Sequence, residues 1–249
     1  MFSCIHGNTG VGTGTGDSLC ATMIGATGKI LNLICFIDHF DSFSFNVLAW
    51  LRQSPGRAEV VRIAADDVMA IRRLHGGGAP VVLSPGPGHP MDAHGSIDLC
   101  RALAGKVPLL GICLGHQIIG AALGWEVTRS ARPFHGSRRT ILVSDDSWFL
   151  RGPARFQAAT YNSLVIRPGQ PAGTDDPARL VGLKVVGTCE DGEVQAIETT
   201  GPVKAAGVQF HPESFLSDDL SAFRDRWVAH ANTWIADQSS ATAPLLMPS

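Results

Sequence analysis

VPLLGICLGHQIIGAALG, residues Val107 to Gly124, divides into an apolar strand, a glycine-flanked cysteine and an apolar helix. Val107 to Ile112 is an unbroken apolar run of the kind that forms a fully buried strand. Gln117 to Leu123 is apolar enough for a buried helix. Between them, Gly111, Cys113 and Gly115 make the sequence G-I-C-L-G. A strand, a tight turn carrying a nucleophile candidate and a helix form the pattern of a nucleophile elbow. The central residue of such a turn is held in a strained backbone conformation, and flanking glycines let neighbouring chain pack close. Cys113 would then stand in a cleft at a helix N-terminus, where the dipole and free N–H groups favour thiolate over thiol. Most free cysteines, however, are small buried hydrophobes. This stretch alone leaves both readings open.

Upstream, strands alternate with helices. Leu31 to Ile37, Glu59 to Ile63 and Pro80 to Leu83 read as strands. Phe43 to Arg52, Asp66 to Leu74 and Ser96 to Leu103 read as helices, the first capped by Asp41 or Ser42. This spacing predicts βαβ units on a parallel sheet, where ligands bind at the carboxyl ends of the strands. The turn Ser84-Pro-Gly-Pro-Gly88 and Cys113 both follow strands directly, so both are expected to line one crevice. Downstream, Thr140 to Val143, Phe156 to Tyr161, Leu180 to Gly187, Val194 to Thr199 and Ala205 to Phe210 read as strands with few helices between them. A last helix begins near Asp218 or Asp219, with Leu220, Phe223, Trp227, Val228, Trp234 and Ile235 on one face. The expected fold class is α/β: an open, mixed, mostly parallel central sheet with helices on both faces and antiparallel additions in the C-terminal half. Residues 1–28 read as a flexible Gly/Thr-rich leader, 29–237 as one domain and 238–249 as a disordered tail. The leader's Gly10, Gly12, Gly14 and Gly16 miss the G-x-G-x-x-G spacing, and no Lys-Ser/Thr closes a P-loop.

Composition narrows the classes of function. The chain has 249 residues, 20 of them Lys or Arg and 22 Asp or Glu, for a formal net charge of −2. With no basic cluster, nucleic acid is not an expected partner. No apolar stretch approaches the roughly 20 residues of a membrane span, so no membrane partner is expected either. The start, MFSCIHGNTG, lacks the basic and apolar regions of a secretory signal. Cys4, Cys20, Cys35, Cys100, Cys113 and Cys189 form no C-x-x-C pair. A zinc site or disulfide framework is therefore not expected, and a reducing cytoplasm is the default location.

Three features can converge on Cys113. Gln209-Phe-His-Pro-Glu-Ser214 ends a strand, and in extended chain residues two apart point to the same side. His211 and Glu213 would then face the crevice together, as a base and its orienting group for a cysteine nucleophile. Alternatively, His211 is an ordinary histidine at a strand end. The glycines of Ser84 to Gly88 let backbone N–H groups approach a ligand, as an oxyanion hole requires, with the Leu114 N–H as second donor. Alternatively, this is an ordinary tight turn. Gln117 lies one helical turn beyond Cys113 and can reach back over the cleft, or it is a helix-surface glutamine.

GICLGHQ, LSPGPGHP and GVQFHPES together resemble the class I (triad) glutamine amidotransferases, over roughly Asn32 to Trp234. Ile37-Asp-His-Phe-Asp-Ser-Phe-Ser-Phe-Asn46, Phe134-His-Gly136 and Tyr161-Asn-Ser-Leu164 are similar to the subfamily serving chorismate-using synthases. These are the glutamine subunits of anthranilate synthase and aminodeoxychorismate synthase. The resemblance implies that Cys113 attacks the side-chain amide of L-glutamine, His211 moves the proton and Glu213 orients His211. It also implies an oxyanion hole from Gly86 and Leu114, and a glutamine pocket from Gly86, Pro87, Gly88, Gln117, Ser163 and Leu164. Ser163 and Leu164 would act largely through backbone groups. No cofactor is implied in this chain, and the partner synthase is expected to use Mg2+. The partner implied is a chorismate-binding synthase subunit that receives the ammonia. With the amidotransferase core assigned, no residues remain here for a synthase domain. His135 and Gly136 are the expected contact with it.

The chain also departs from the subfamily. Asn162 stands where histidine is common, and is expected to alter partner contacts or activation. Ser137 stands where lysine is common, with Arg138 and Arg139 as candidates to replace its charge. A specialised (iso)chorismate aminase, a stand-alone γ-glutamyl hydrolase and a regulatory subunit that kept the fold are the alternatives. Turnover is expected to fall as His211 is protonated in the free enzyme.

Overall fold

A computed structural model describes residues 33–56, 59–75, 78–133, 136–169 and 182–241. The leader, 1–28, lies outside them. In chain order the N-terminal half contains β1 (Leu33–Asp38), α1 (Ser44–Arg52), β2 (Glu59–Ala64), α2 (Val68–Leu74), β3 (Val81–Leu83), α3 (His94–Leu103), β4 (Leu109–Ile112) and α4 (Leu114–Ala122). A 3-10 turn at Pro90–Asp92 precedes α3. The second half contains β5 (Glu126–Arg129), β6 (Ser137–Val143), β7 (Arg155–Thr160), β8 (Leu164–Arg167), β9 (Leu183–Cys189), β10 (Val194–Thr199), β11 (Ala205–Val208) and α5 (Ser221–Ala241).

A nine-stranded sheet runs β2-β1-β3-β4-β11-β10-β9-β6-β7. It is parallel from β2 through β11 and antiparallel from β11 to β7. The α/β expectation is met, with the antiparallel additions in the C-terminal half. The alternation of side chains along each strand builds two cores. Ile34, Phe36, Leu110 and Ile112 face one side with α1 and α5, through Leu51, Phe223 and Trp227. Cys35, Ile37, Leu83 and Leu109 face the other with α2, α3 and α4, through Ile71, Leu99 and Ile118. Covering both faces explains why these strands are uniformly apolar.

Several boundaries differ from expectation, three of them near the site or the C-terminus. Helix α4 starts at Leu114, not Gln117, because Cys113 is itself its N-cap and no loop intervenes. Helix α5 runs to Ala241, so residues 238–241 belong to it and not to a tail. Its last polar turn is held locally, with Ser239 and Ser240 hydroxyls donating to the Ile235 and Ala236 carbonyls. Residues 242–249 lie outside the described chain. Strand β11 stops at Val208, before the predicted Phe210. A separate two-stranded sheet of β5 and β8 was not foreseen. Its residues are only part-buried on β5, which hides the alternation.

Burial controls two histidines that the fold holds neutral. His39 is pushed down to about 4 by burial, despite the nearby Asp38 carboxylate. His116 is pushed down to about 3 by burial. Both bind a proton more readily unfolded, near 6.5, so stability is full above that pH and falls as pH drops toward these values. Urea titrations between about pH 7 and about pH 5 should lose about 1.4 kcal/mol per histidine per pH unit below 6.5. His116→Gln should flatten that slope by about half.

Candidate active site

Strands β3, β4 and β11 are adjacent and parallel, so the loops leaving their carboxyl ends meet. Those loops carry Ser84 to Gly88, Cys113 and Gln209 to Ser214. The tightest turn is at Cys113, with φ 53° and ψ −103°, a conformation L-residues rarely adopt. The chain accepts it because the flanking glycines permit contacts that a side chain would block. A Cβ on Gly115 would lie well inside 3.0 Å of the Leu83 carbonyl, and one on Gly111 would meet the Gly115 backbone. Backbone bonds pin the turn on both sides. The Cys113 N–H donates to Val208 O at 2.8 Å, and the Gly115 N–H to Ser84 O at 3.2 Å.

A cleft of about 200 Å³ opens over this turn, lined by Gly86, Pro87, Gly88, Cys113, Leu114, Gln117, Tyr161, Asn162, Ser163 and Leu164. The expected pocket residues Gly86, Pro87, Gly88, Gln117, Ser163 and Leu164 are therefore together. A Cβ on Gly86 would lie 2.5 Å from Leu114 Cδ2 and 2.6 Å from His39 Cβ, so only glycine fits. Leu114 opens α4, where an N–H has no carbonyl of the same helix to bond. His39 supports the glycine loop from beneath. Its backbone N–H donates to Ser84 Oγ at 2.8 Å, and its ring Nε2 pairs with Ser96 Oγ at 3.0 Å.

His211 and Glu213 also meet beside Cys113, through a turn and not through extended chain. The Ser214 N–H closes the turn on His211 O, and the His211 N–H donates to Ala159 O at 2.9 Å. His211 Nδ1 pairs with Glu213 Oε1 at 2.7 Å, with both side chains almost wholly buried. His211 Nε2 makes no fully formed hydrogen bond. The Cys113 sulfur is nonetheless close enough to govern its charge. Burial disfavours the imidazolium, but the Cys113 sulfur and the Glu213 carboxylate outweigh it and raise the His211 pKa to about 10. These two neighbours favour the protonated ring, the opposite direction from a ring whose proton gain switches turnover off.

Sequence reasoning assigned no role to several neighbours. Tyr161 and Phe43 enclose the His211 ring, with centroids at 4.9 and 5.1 Å and edge-to-face tilts. Such geometry suits a charged or neutral imidazole against an aromatic face. Phe43 is carried by a loop whose anchor is Asp38, which accepts from Phe40 N, Ser44 Oγ and Arg62 Nε. Gln209 reaches the Cys113 sulfur, with Nε2 at 3.6 Å. Phe43, Tyr161 and Gln209 each lie inside a motif named above, but only the folded register brings them beside His211 or Cys113.

Other expectations shift in detail. Asn162 is buried, and its Nδ2 donates to Leu164 O at 3.0 Å, so it braces the pocket wall. Gln117 Nε2 donates to the same carbonyl at 3.1 Å. The Ser163 carbonyl accepts from Ser130 N. Both pocket carbonyls are thus engaged within the chain. Arg139 cannot replace a surface lysine, because its buried guanidinium binds Asp191 and Glu193. Arg138 is half exposed and pairs with Asp218 at 2.7 Å. Gly136 has φ 74°, and a Cβ there would sit 3.3 Å from the Tyr161 ring. It therefore packs beside the cleft wall. His135 lies outside the described residues.

The class I glutamine amidotransferase family model matches residues 35–229, and the chain belongs to that family. An anthranilate synthase component 2 of Mycobacterium tuberculosis is 33% identical over 211 residues, covering 83% of this chain and 85% of that protein. The bifunctional protein TrpGD of Thermotoga maritima is 31% identical over 192 residues, 77% of this chain but 31% of that longer protein. A crystal structure of a glutamine amidotransferase from Thermotoga maritima shares the fold, with a TM-score of 0.59 at 19% identity, over 83% of this chain and 84% of that one. No described helix is long and apolar enough to cross a membrane.

Strain at Cys113 yields a test independent of activity. Cys113→Gly should unfold at higher temperature than Cys113→Ala, with a gain of about 1 kcal/mol, because glycine adopts φ 53° freely. Differential scanning calorimetry of the two variants measures it. Equal stability would mean that the turn is unstrained in solution.

Proposed function

We propose that the chain is the glutaminase subunit of a chorismate-using synthase of the anthranilate synthase or aminodeoxychorismate synthase type. The observation that carries this reading is a small cleft lined by Cys113 and the pocket residues named above, with the buried His211–Glu213 pair beside the cysteine sulfur. The family supports a glutamine substrate, and the component 2 relatives support a partner that uses the ammonia.

In this reading the Cys113 sulfur attacks the side-chain carbonyl carbon of L-glutamine. The S–C bond forms, and the C=O pair moves to oxygen, held by the Gly86 loop and Leu114 N–H groups. The C–N bond then breaks, and the nitrogen leaves as ammonia with the proton that His211 carried. His211, now neutral, takes a proton from water as the water attacks the thioester. The C–S bond breaks with its electron pair returning to sulfur, and glutamate leaves. Glu213 stabilises the charged imidazole and fixes its orientation through Nδ1. Ammonia passes to the partner, which aminates chorismate.

A docked partner would meet exposed aromatics that lie close in the chain to site residues. Phe40 and Phe45 flank Phe43 in the chain and are 56% and 67% exposed, and Phe215, four residues beyond His211, is 92% exposed.

Cys113→Ser is expected to abolish glutamine-dependent amination by the reconstituted complex and to leave ammonia-dependent amination intact. Following glutamate and the aromatic product together, with each candidate synthase plus chorismate, tests class and pathway at once. Glutamate release that no synthase stimulates would instead mark a stand-alone hydrolase. Turnover should also fall as pH rises through about 10, where His211 loses the proton it gives to ammonia.

A further inference from the structure

Gln209 is a wholly buried carboxamide that touches the reacting sulfur and that the mechanism above does not use. It follows the last residue of β11, and its backbone N–H donates to Gln195 O at 2.8 Å, which fixes where the side chain starts. Its two ends have different neighbours. Oε1 accepts from Gln117 Nε2 at 2.9 Å, and Nε2 points to Cys113 Sγ at 3.6 Å. Gln117 is itself oriented, because its amide nitrogen also donates to Leu164 O at 3.1 Å. Turning the Gln209 amide over would set two NH2 groups against each other and a carbonyl oxygen against the sulfur. A relay of three groups, Leu164 carbonyl, Gln117 and Gln209, therefore aims an N–H donor at Cys113.

We propose that Gln209 is a further catalytic residue, whose side-chain N–H donates to the Cys113 sulfur whenever that atom is anionic. This rests on the reading of Cys113 as the nucleophile. The sulfur carries the negative charge twice in a turnover, before it attacks the amide and after the C–S bond of the thioester breaks. In between, its electron pair is in the S–C bond and the contact loses its charge. A hydrogen bond to an ionised acceptor is about twice as strong as a neutral one, so the N–H favours the anionic states at both ends of the cycle. His211 carries its proton in both of those states and supplies the opposing charge, and Gln209 adds a neutral donor to the same atom. A carboxamide neither gains nor loses a proton over the working range, so Gln209 stabilises the sulfur without quenching its nucleophilic pair. The same relay ties the sulfur to the pocket wall, since Leu164 is a lining residue.

The test is iodoacetamide alkylation of Cys113 across pH in the full chain, read by peptide mass spectrometry so that other cysteines are resolved. Gln209→Met keeps the side-chain length and removes the donor. Below the wild-type midpoint its Cys113 should alkylate about tenfold more slowly, with the midpoint of the profile moved up by about one pH unit. Glutamine kcat should fall by a similar factor, with a smaller change in KM. Should Gln209→Met fail to fold, as judged by circular dichroism, Gln209→Glu keeps the acceptor that Gln117 binds and is read in its place, with a larger upward movement. A folded variant whose alkylation profile coincides with wild type overturns the proposal, and marks Gln209 as a packing residue. Alkylation needs neither glutamine nor a partner. A wild-type chain without glutaminase activity in any complex would therefore count against the proposed function, while the profile still judges Gln209.

Discussion

The contact of Gly115 with the Leu83 carbonyl is the constraint on which the site depends. Without a Cβ at residue 115, the start of α4 packs directly against the end of β3. That closeness lets β4 pass into α4 through one residue and forces Cys113 to φ 53°. Such a conformation costs on the order of 1–3 kcal/mol. Leu83, Leu110, Ile112 and Ile118 are fully buried around it, and each contributes about 1.5–3 kcal/mol when removed from water. The surrounding burial outweighs the strain, so the cysteine stays raised into the cleft.

Polar order around that turn comes from chains of hydrogen bonds rather than single contacts. One chain joins Leu164, Gln117, Gln209 and Cys113. Another runs from the Ser163 carbonyl to Ser130, whose hydroxyl donates to Glu193, which pairs with buried Arg139. The second chain links the pocket wall to the β9–β10 turn. A buried ion pair of this kind contributes little to net stability, but removing one partner leaves an unpaired charge, so the arrangement favours one geometry over alternatives. His211 gains its position the same way, from Glu213 at one nitrogen and two aromatic rings at its sides.

Charge at the site is set by company, not by exposure. His39 and His116 are as buried as His211, yet there burial outweighs the neighbouring groups and lowers both. His211 faces a sulfur and a carboxylate and is raised instead. The opposite directions at these rings follow from which groups the fold brings within reach of each.

Local chemistry determined much of this protein. The apolar strands, the alternation of strand and helix, the GICLG turn and the motif glycines were all readable because each depends on neighbours in the chain. Parallel strands present their carboxyl ends together, which put the Ser84 to Gly88 turn, Cys113 and the His211 segment on one crevice, while the remaining pocket residues were named only through the family resemblance. Other features needed the tertiary structure. Strands β5 and β8 pair across more than thirty intervening residues, from Glu126 with Arg167 to Arg129 with Leu164. The inward turn of Asn162, the internal use of Arg139, the aromatic enclosure of His211 and the reach of Gln209 to Cys113 also join residues distant in sequence. Side-chain direction and ionisation depend on such neighbours, and the linear pattern records residue type and spacing but not which distant groups the folded register makes adjacent.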